Sequence, residues 1–274
     1  MPNSALPASG LWHGVRVHQI LAKDAFICDM DGVIYHGNRL LPGVVDFVHH
    51  LQQHSKRYLF LTNSSERSPK ELAQKLARLG VEVPPEHFYT SALATASFLA
   101  AQSPGCSVYA IGEAGLLNAL YEAGITMNDV SPDYVVIGES RSYTYDTMTK
   151  AIRLVLGGAR LIGTNPDTTG PTESGIAPAC ACLVAPVELA TRCKAYYLGK
   201  PYPLMMRSAL KRLGATRERT AIIGDRMDTD ILAGIESEID TVLVLSGVTA
   251  VADIALYPYR PRYVLSGVAE LLSA

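Results

Sequence analysis

The chain has 274 residues, enough for one or two domains with a sizeable core. Its 48% hydrophobic and 18% charged residues suit a globular enzyme and exclude a disordered or fibrous chain. The formal charge is only -2 with both signs interspersed, so neither a nucleic-acid polymer nor a membrane surface is indicated as a partner.

The first residues, MPNSALPASGLWHG, lack a basic stretch followed by an apolar one, and no later apolar run approaches membrane-spanning length. A cytoplasmic protein with a floppy N-terminal dozen residues is expected. The apolar run Ala25-Phe26-Ile27-Cys28 reads as a buried strand and ends in Asp29-Met30-Asp31-Gly32. Two carboxylates thus stand at the carboxyl end of a strand, the edge at which open α/β sheets bind ligands. A glycine directly after the pair lets the chain turn and aim the two differently. Asp-x-Asp-Gly also occurs in solvated turns and calcium loops, although a calcium loop would continue with further oxygen ligands where Val33-Ile34-Tyr35 follows.

Beyond Pro42-Gly43, the spacing of Val44, Phe47, Val48 and Leu51 predicts an amphipathic helix. The run Tyr58-Leu59-Phe60-Leu61 is a second buried strand, stopping at Thr62-Asn63-Ser64-Ser65. Helices over 69–79 and 92–102 flank a short strand at 88–91. A second α/β unit follows, with strands at 107–112, 134–138 and 160–163 and helices at 116–122 and 146–156. It ends in the loop Thr164-Asn165-Pro166-Asp167-Thr168, a segment rich in Gly, Pro and Ala, and a short helix at 187–191. The last section has strands at 195–198, 220–223 and 241–245, helices at 203–213 and 231–234, and the polar runs Gly199-Lys200-Pro201 and Gly224-Asp225-Arg226-Met227-Asp228-Thr229-Asp230. Strands alternating with helices throughout predict a doubly wound, mostly parallel sheet. Five cysteines without a C-x-x-C pair favour neither a disulfide framework nor zinc; Cys180 and Cys182 are read as small buried residues sharing one face of a strand.

Four strand ends therefore carry polar groups: Asp29 with Asp31, Thr62 with Asn63, Lys200, and Asp225 with Asp230. Singly, each has a plain structural reading as a helix cap, a solvated loop residue or a turn. Together, carboxylates at one edge call for a cation, and oxygen-only ligands with room for water and phosphate point to Mg²⁺. A hydroxyl, backbone amides and a lysine supply donors for phosphoryl oxygens.

In order, Asp-Met-Asp-Gly-Val, Thr-Asn-Ser, Gly-Lys-Pro and Gly-Asp-x-x-x-Thr-Asp resemble the four motifs of the haloacid dehalogenase superfamily of phosphatases. The α/β interval between Thr62 and Lys200 looks like the C2-type cap of its NagD-like branch. Residues 88–91, 136–143, 164–168 and 245–248 also look like segments of that branch. The resemblance implies a Rossmann-like α/β core of residues 1–103 plus 193–274 with an inserted smaller α/β cap domain of residues 104–192. It further implies a Mg²⁺-dependent phosphatase in which Asp29 is the nucleophile, forming an aspartyl-phosphate, and Asp31 the general acid and base. Asp29, the Asp31 carbonyl and Asp225 would hold the metal. Thr62, Asn63 and Lys200 would bind the phosphoryl group, while Asp230 would order the metal's water shell or brace Lys200. Asp228 is left as a solvated residue. Cap residues Asn165, Asp167 and Thr168 are candidates for substrate choice, with a simple turn as the alternative; alanine within Pro178-Ala179-Cys180-Ala181-Cys182, where glycine is common, leaves the shape of that wall open. A small phosphorylated metabolite is the expected partner, nucleoside monophosphates such as UMP first, then sugar phosphates or pyridoxal phosphate, with a homodimer implied. Rivals are a dehalogenase, which needs neither the acid nor the metal; a phosphomutase, disfavoured by the placement of the insertion; and a phospho-accepting sensor that turns over slowly.

Overall fold

The computed structural model describes residues 17–172 and 175–272; the expected N-terminal dozen falls outside them. Two compact units emerge, Met1–Tyr58 with Leu213–Ala274, and Leu59–Arg212.

In the first unit four strands run parallel in the order Tyr263–Leu265, Asp240–Val244, Thr220–Gly224 and Ala25–Cys28. Ala25 to Cys28 pair with Thr220 to Ile223, and Ala221 to Gly224 with Asp240 to Leu243. All four residues of the first strand are fully buried, the continuous apolar pattern of a parallel strand covered on both faces. The Val44–Gln53 helix buries Val44, Phe47, Val48 and Leu51, as the spacing predicts, each such side chain contributing about 1.5–3 kcal/mol. Phe47 meets Phe26 edge to face at 6.3 Å. Gly43, with φ 76°, starts this helix against Ala269, where a Cβ would clash.

The second unit takes up the Arg57–Thr62 strand from Leu59, pairing Phe60 to Thr62 with Phe88 to Thr90. Its other sheet has five parallel strands in the order Tyr196–Tyr197, Arg160–Gly163, Tyr134–Ile137, Ser107–Ile111 and Thr126–Met127. Alternation assigns the faces. Val108, Val136 and Ile162 pack with Ala92, Leu99, Leu116 and Leu120, whereas Val135, Ile137 and Leu161 pack with Ala151, Val155 and Val184. The helices Ser91–Gln102 and Ala114–Glu122 cover the first face, Tyr145–Leu156 and Cys180–Thr191 the second.

Two expectations are corrected. The segment rich in Gly, Pro and Ala forms an antiparallel ribbon, Thr169–Thr172 with Gly175–Pro178. Cys180 and Cys182 lie not on a strand but in the first turn of the Cys180–Thr191 helix, longer than the short helix expected. Residues two apart on a helix point in different directions, so Cys180 is buried and Cys182 exposed. No helix among the described residues is long and apolar enough to cross a membrane.

Candidate active site

The parallel register brings two acidic strand ends of the first unit together. Cys28 pairs with Ile223, and the Asp29 N–H continues the ladder by donating to the Ile223 carbonyl at 2.8 Å. Asp225 follows Gly224 at the end of the neighbouring strand, and Asp230 returns from a single π turn, Met227–Ile231. Carboxylate oxygens of Asp29, Asp225 and Asp230 all lie within 4.8 Å of one another, and Asp225 and Asp230 are buried.

Neighbouring loops hold these groups. Asp225 Oδ2 accepts from the Val248 N–H at 2.7 Å, its carbonyl from the Thr249 N–H at 3.1 Å, and Asp230 Oδ2 from the Arg226 N–H at 3.1 Å. The Ser246 hydroxyl donates to the Gly32 carbonyl at 2.7 Å. A Cβ on Gly32 would sit 2.5 Å from Asp225 Oδ2, and one on Gly247 or Gly224 would overlap Asp225 or Asp230. The Asp31 side chain is nearly half exposed and lies 3.6 Å from His36 Nδ1. Burial, and next the charge of Asp29, push the Cys28 thiol up, so it stays protonated beside that carboxylate. Asp228 pairs with Arg226 at 2.8 Å, its side chain about half exposed.

Three carboxylate oxygens this close, two of the groups buried, repel one another unless a cation neutralises them. An all-oxygen donor set with few protein ligands suits Mg²⁺, so these residues fit the metal that the motifs imply. Asp230, expected to support the metal site, lies within the same cluster of carboxylate oxygens.

The second unit gathers the phosphate-binding candidates. The Thr62 hydroxyl accepts from the Ser64 N–H at 3.1 Å, which leaves its own proton to donate. Asn63 is buried, and its side chain pairs with the Lys200 backbone at two points: Oδ1 accepts from the Lys200 N–H at 2.7 Å, and Nδ2 donates to the Lys200 carbonyl at 2.9 Å. Nδ2 also donates to Asp167 Oδ2 at 3.0 Å. Lys200 is only 2% exposed, with Nζ donating to the Leu61 carbonyl at 3.3 Å.

The three cap candidates separate. Thr168 is exposed and Asp167 partly so, but Asn165 is 0% exposed. Its amide donates to the Asn63 carbonyl at 2.7 Å and to Glu139 Oε1 at 2.6 Å. Of the three cap candidates, Asn165 is thus the one whose side chain is fully buried and bonded to its neighbours. Sequence reasoning passed over Ser65 and Glu139. Glu139 directly follows Gly138 at the end of an apolar strand, the same signal that singled out Asp29.

Residues 26–126 match a family model described as haloacid dehalogenase-like hydrolase, and residues 197–271 one described as HAD-hydrolase-like. The chain is 45% identical over 247 residues to a dihydroxyacetone phosphatase of Corynebacterium glutamicum, covering 90% of each chain. It is 45% identical over 245 residues to the ribonucleotide monophosphatase NagD of Escherichia coli, covering 89% of this chain and 96% of that one. An acid sugar phosphatase of Staphylococcus aureus is 37% identical over 250 residues, with 91% and 96% covered. Among solved structures, NagD of Escherichia coli superposes with a TM-score of 0.86 at 44% identity over 91% of this chain and 98% of that one. A 4-nitrophenylphosphatase of Thermotoga maritima gives 0.89 at 32% identity over 93% and 98%.

Proposed function

The chain belongs to the haloacid dehalogenase-like hydrolases, and from that premise we propose that it is a Mg²⁺-dependent phosphatase that hydrolyses small cytoplasmic phosphomonoesters through an aspartyl-phosphate. The observation that carries this reading is the group formed by Asp29, Asp225 and Asp230. Together with the Asp31 carbonyl, Asp29 and Asp225 would hold Mg²⁺, with Asp230 beside them; when bound, the metal neutralises charge so that a carboxylate can approach a phosphate dianion.

An Asp29 carboxylate oxygen attacks phosphorus, and the bond from phosphorus to the leaving oxygen breaks as the Asp31 carboxyl gives that oxygen its proton. Water then attacks the phosphorus, Asp31 takes the water's proton, and the bond to Asp29 breaks to release inorganic phosphate. The exposure of Asp31 suits traffic of protons with solvent. The Thr62 hydroxyl and the Asn63 backbone N–H serve as donors to the phosphoryl oxygens, and Lys200 supplies positive charge, the pre-placed electrostatics on which phosphoryl transfer chiefly depends. Substrate choice falls to Asp167 and Thr168.

Nucleoside monophosphates such as UMP are the first substrate class, supported by the similarity to NagD. A second reading, triose or sugar phosphates, is favoured by an equal 45% identity to the dihydroxyacetone phosphatase. The test is phosphate release from nucleoside monophosphates, dihydroxyacetone phosphate, sugar phosphates and pyridoxal phosphate, each with Mg²⁺ and with EDTA. Many turnovers with Mg²⁺ and none with EDTA are expected, and Asp29→Asn should be folded by circular dichroism yet inactive. Activity retained in that variant overturns the mechanism. Release of at most one equivalent per chain identifies a phospho-accepting sensor instead. We also infer a homodimer, supported by the family resemblance; light scattering that returns the mass of one chain overturns it.

A further inference from the structure

Within the Leu59–Arg212 unit, one carboxylate has no part in the reaction above and yet receives three hydrogen bonds. Glu139 Oε2 accepts from the Ser65 N–H at 3.0 Å and from the Ser65 hydroxyl, and Oε1 accepts from Asn165 Nδ2 at 2.6 Å. The Glu139 N–H returns a bond to Ser65 Oγ at 3.2 Å. Asn165 passes the connection on by donating to the Asn63 carbonyl at 2.7 Å, and Asn63 grips the Lys200 backbone at both its N–H and its carbonyl. An unbroken run of hydrogen bonds thus leads from Glu139 through Asn165 and Asn63 to Lys200.

The run has no slack. A Cβ at Gly138 would overlap Ser65 Oγ, and one at Gly199 would lie 2.6 Å from Asn63 Oδ1 and 2.7 Å from the Asn165 Cβ. Gly199 is itself tied to the same strand end, its N–H donating to the Thr164 carbonyl at 2.8 Å. A lysine reaches its target on a flexible four-carbon stem, so its charge is placed only as well as its backbone is held.

We propose that Glu139 and Asn165 are positioning residues, which hold Lys200 and the Thr62 to Ser65 loop in register by anchoring both to strand ends of the five-stranded sheet. The inference rests on Lys200 serving the phosphoryl group as proposed above. It gives those strand ends a part in the rate of reaction for every substrate and not in the choice among substrates. A carboxylate is required because three donors converge on it; a glutamine there offers one acceptor oxygen and turns an N–H toward a donor.

The experiment compares kcat and KM of wild type, Glu139→Gln, Glu139→Asp, Lys200→Met and the Glu139→Gln/Lys200→Met double variant across the phosphate-ester panel with Mg²⁺. Glu139→Gln should lower kcat about 10- to 100-fold, the scale of a small misplacement of a reacting group. The factor should be the same for every substrate, with KM little changed. Glu139→Asp, which keeps the charge, should recover part of the loss. The double variant should lose less than the product of the two single losses, since the part of the Glu139 effect that passes through Lys200 is already gone in Lys200→Met. Should Glu139→Gln fail to fold, Asn165→Ser carries the same expectations. Unchanged kcat in Glu139→Gln, losses that multiply in the double variant, or a loss that differs from substrate to substrate would each overturn the proposal. Absence of turnover by the wild type fails the phosphatase reading, a result distinct from an active wild type matched by an equally active Glu139→Gln.

Discussion

At the level of single residues, Gly32 combines a steric requirement with a conformational one. Its φ of 79° is one that side-chain-bearing residues adopt at a cost of about 1–2 kcal/mol, and a Cβ there would press on Asp225 Oδ2. Gly32→Ala should therefore lower the urea midpoint and also displace the Asp225 carboxylate, proposed above as a metal ligand. A ligand that binds only the folded state raises its stability with concentration, so Mg²⁺ should raise the wild-type melting temperature more than that of Gly32→Ala. An equal shift in both proteins speaks against Asp225 as a ligand held by this contact. The cysteines show how burial decides reactivity. Cys180 is pushed up to about 12, first by burial and then by the charge of Glu139; it stays a thiol, while Cys182 and Cys193 are exposed.

Among the elements, the Pro69–Arg78 helix was legible almost to the residue. Ser68 accepts from the Glu71 N–H while the Glu71 carboxylate accepts from the Ser68 N–H at 2.7 Å, a complete capping box with Pro69 in the first turn. Losing such a cap costs about 1 kcal/mol. Ser68→Ala should therefore lower stability by about that amount in urea denaturation and leave phosphate release unchanged, since Ser68 touches none of the groups assigned to the reaction. The Cys180–Thr191 helix was not legible in full. Its beginning is set by the Ala181 N–H donating to the Asp167 carbonyl at 2.9 Å and the Cys182 N–H to the Ala179 carbonyl at 3.1 Å, partners that local pattern does not reveal. Pro186 within the helix further disguises it. The ribbon of Thr169–Thr172 with Gly175–Pro178 escaped notice for a similar reason: both strands are short and carry glycine and proline, which mark loops in a sequence.

Across the whole chain, alternation of apolar runs with helical spacing was enough to establish a parallel α/β fold, and strand ends alone singled out Asp29, Asp225, Thr62 and Lys200. Such features are local: a buried parallel strand must be continuously apolar, and a polar residue placed straight after it lies at the sheet's carboxyl edge wherever the strand goes. The tertiary structure decided which of these residues meet. Register between Ala25–Cys28 and Thr220–Gly224, almost 200 positions apart in sequence, puts Asp29 beside Asp225, and the π turn returns Asp230 to them. Packing in the Leu59–Arg212 unit likewise decided that Asn165 is buried, with its amide donating to Asn63 and Glu139. Sequence by itself determined the kinds of chemical group available and the sheet edge that presents them; only the tertiary structure determined their partners, because hydrogen bonds and charge contacts between distant segments depend on register and burial, which no local pattern encodes.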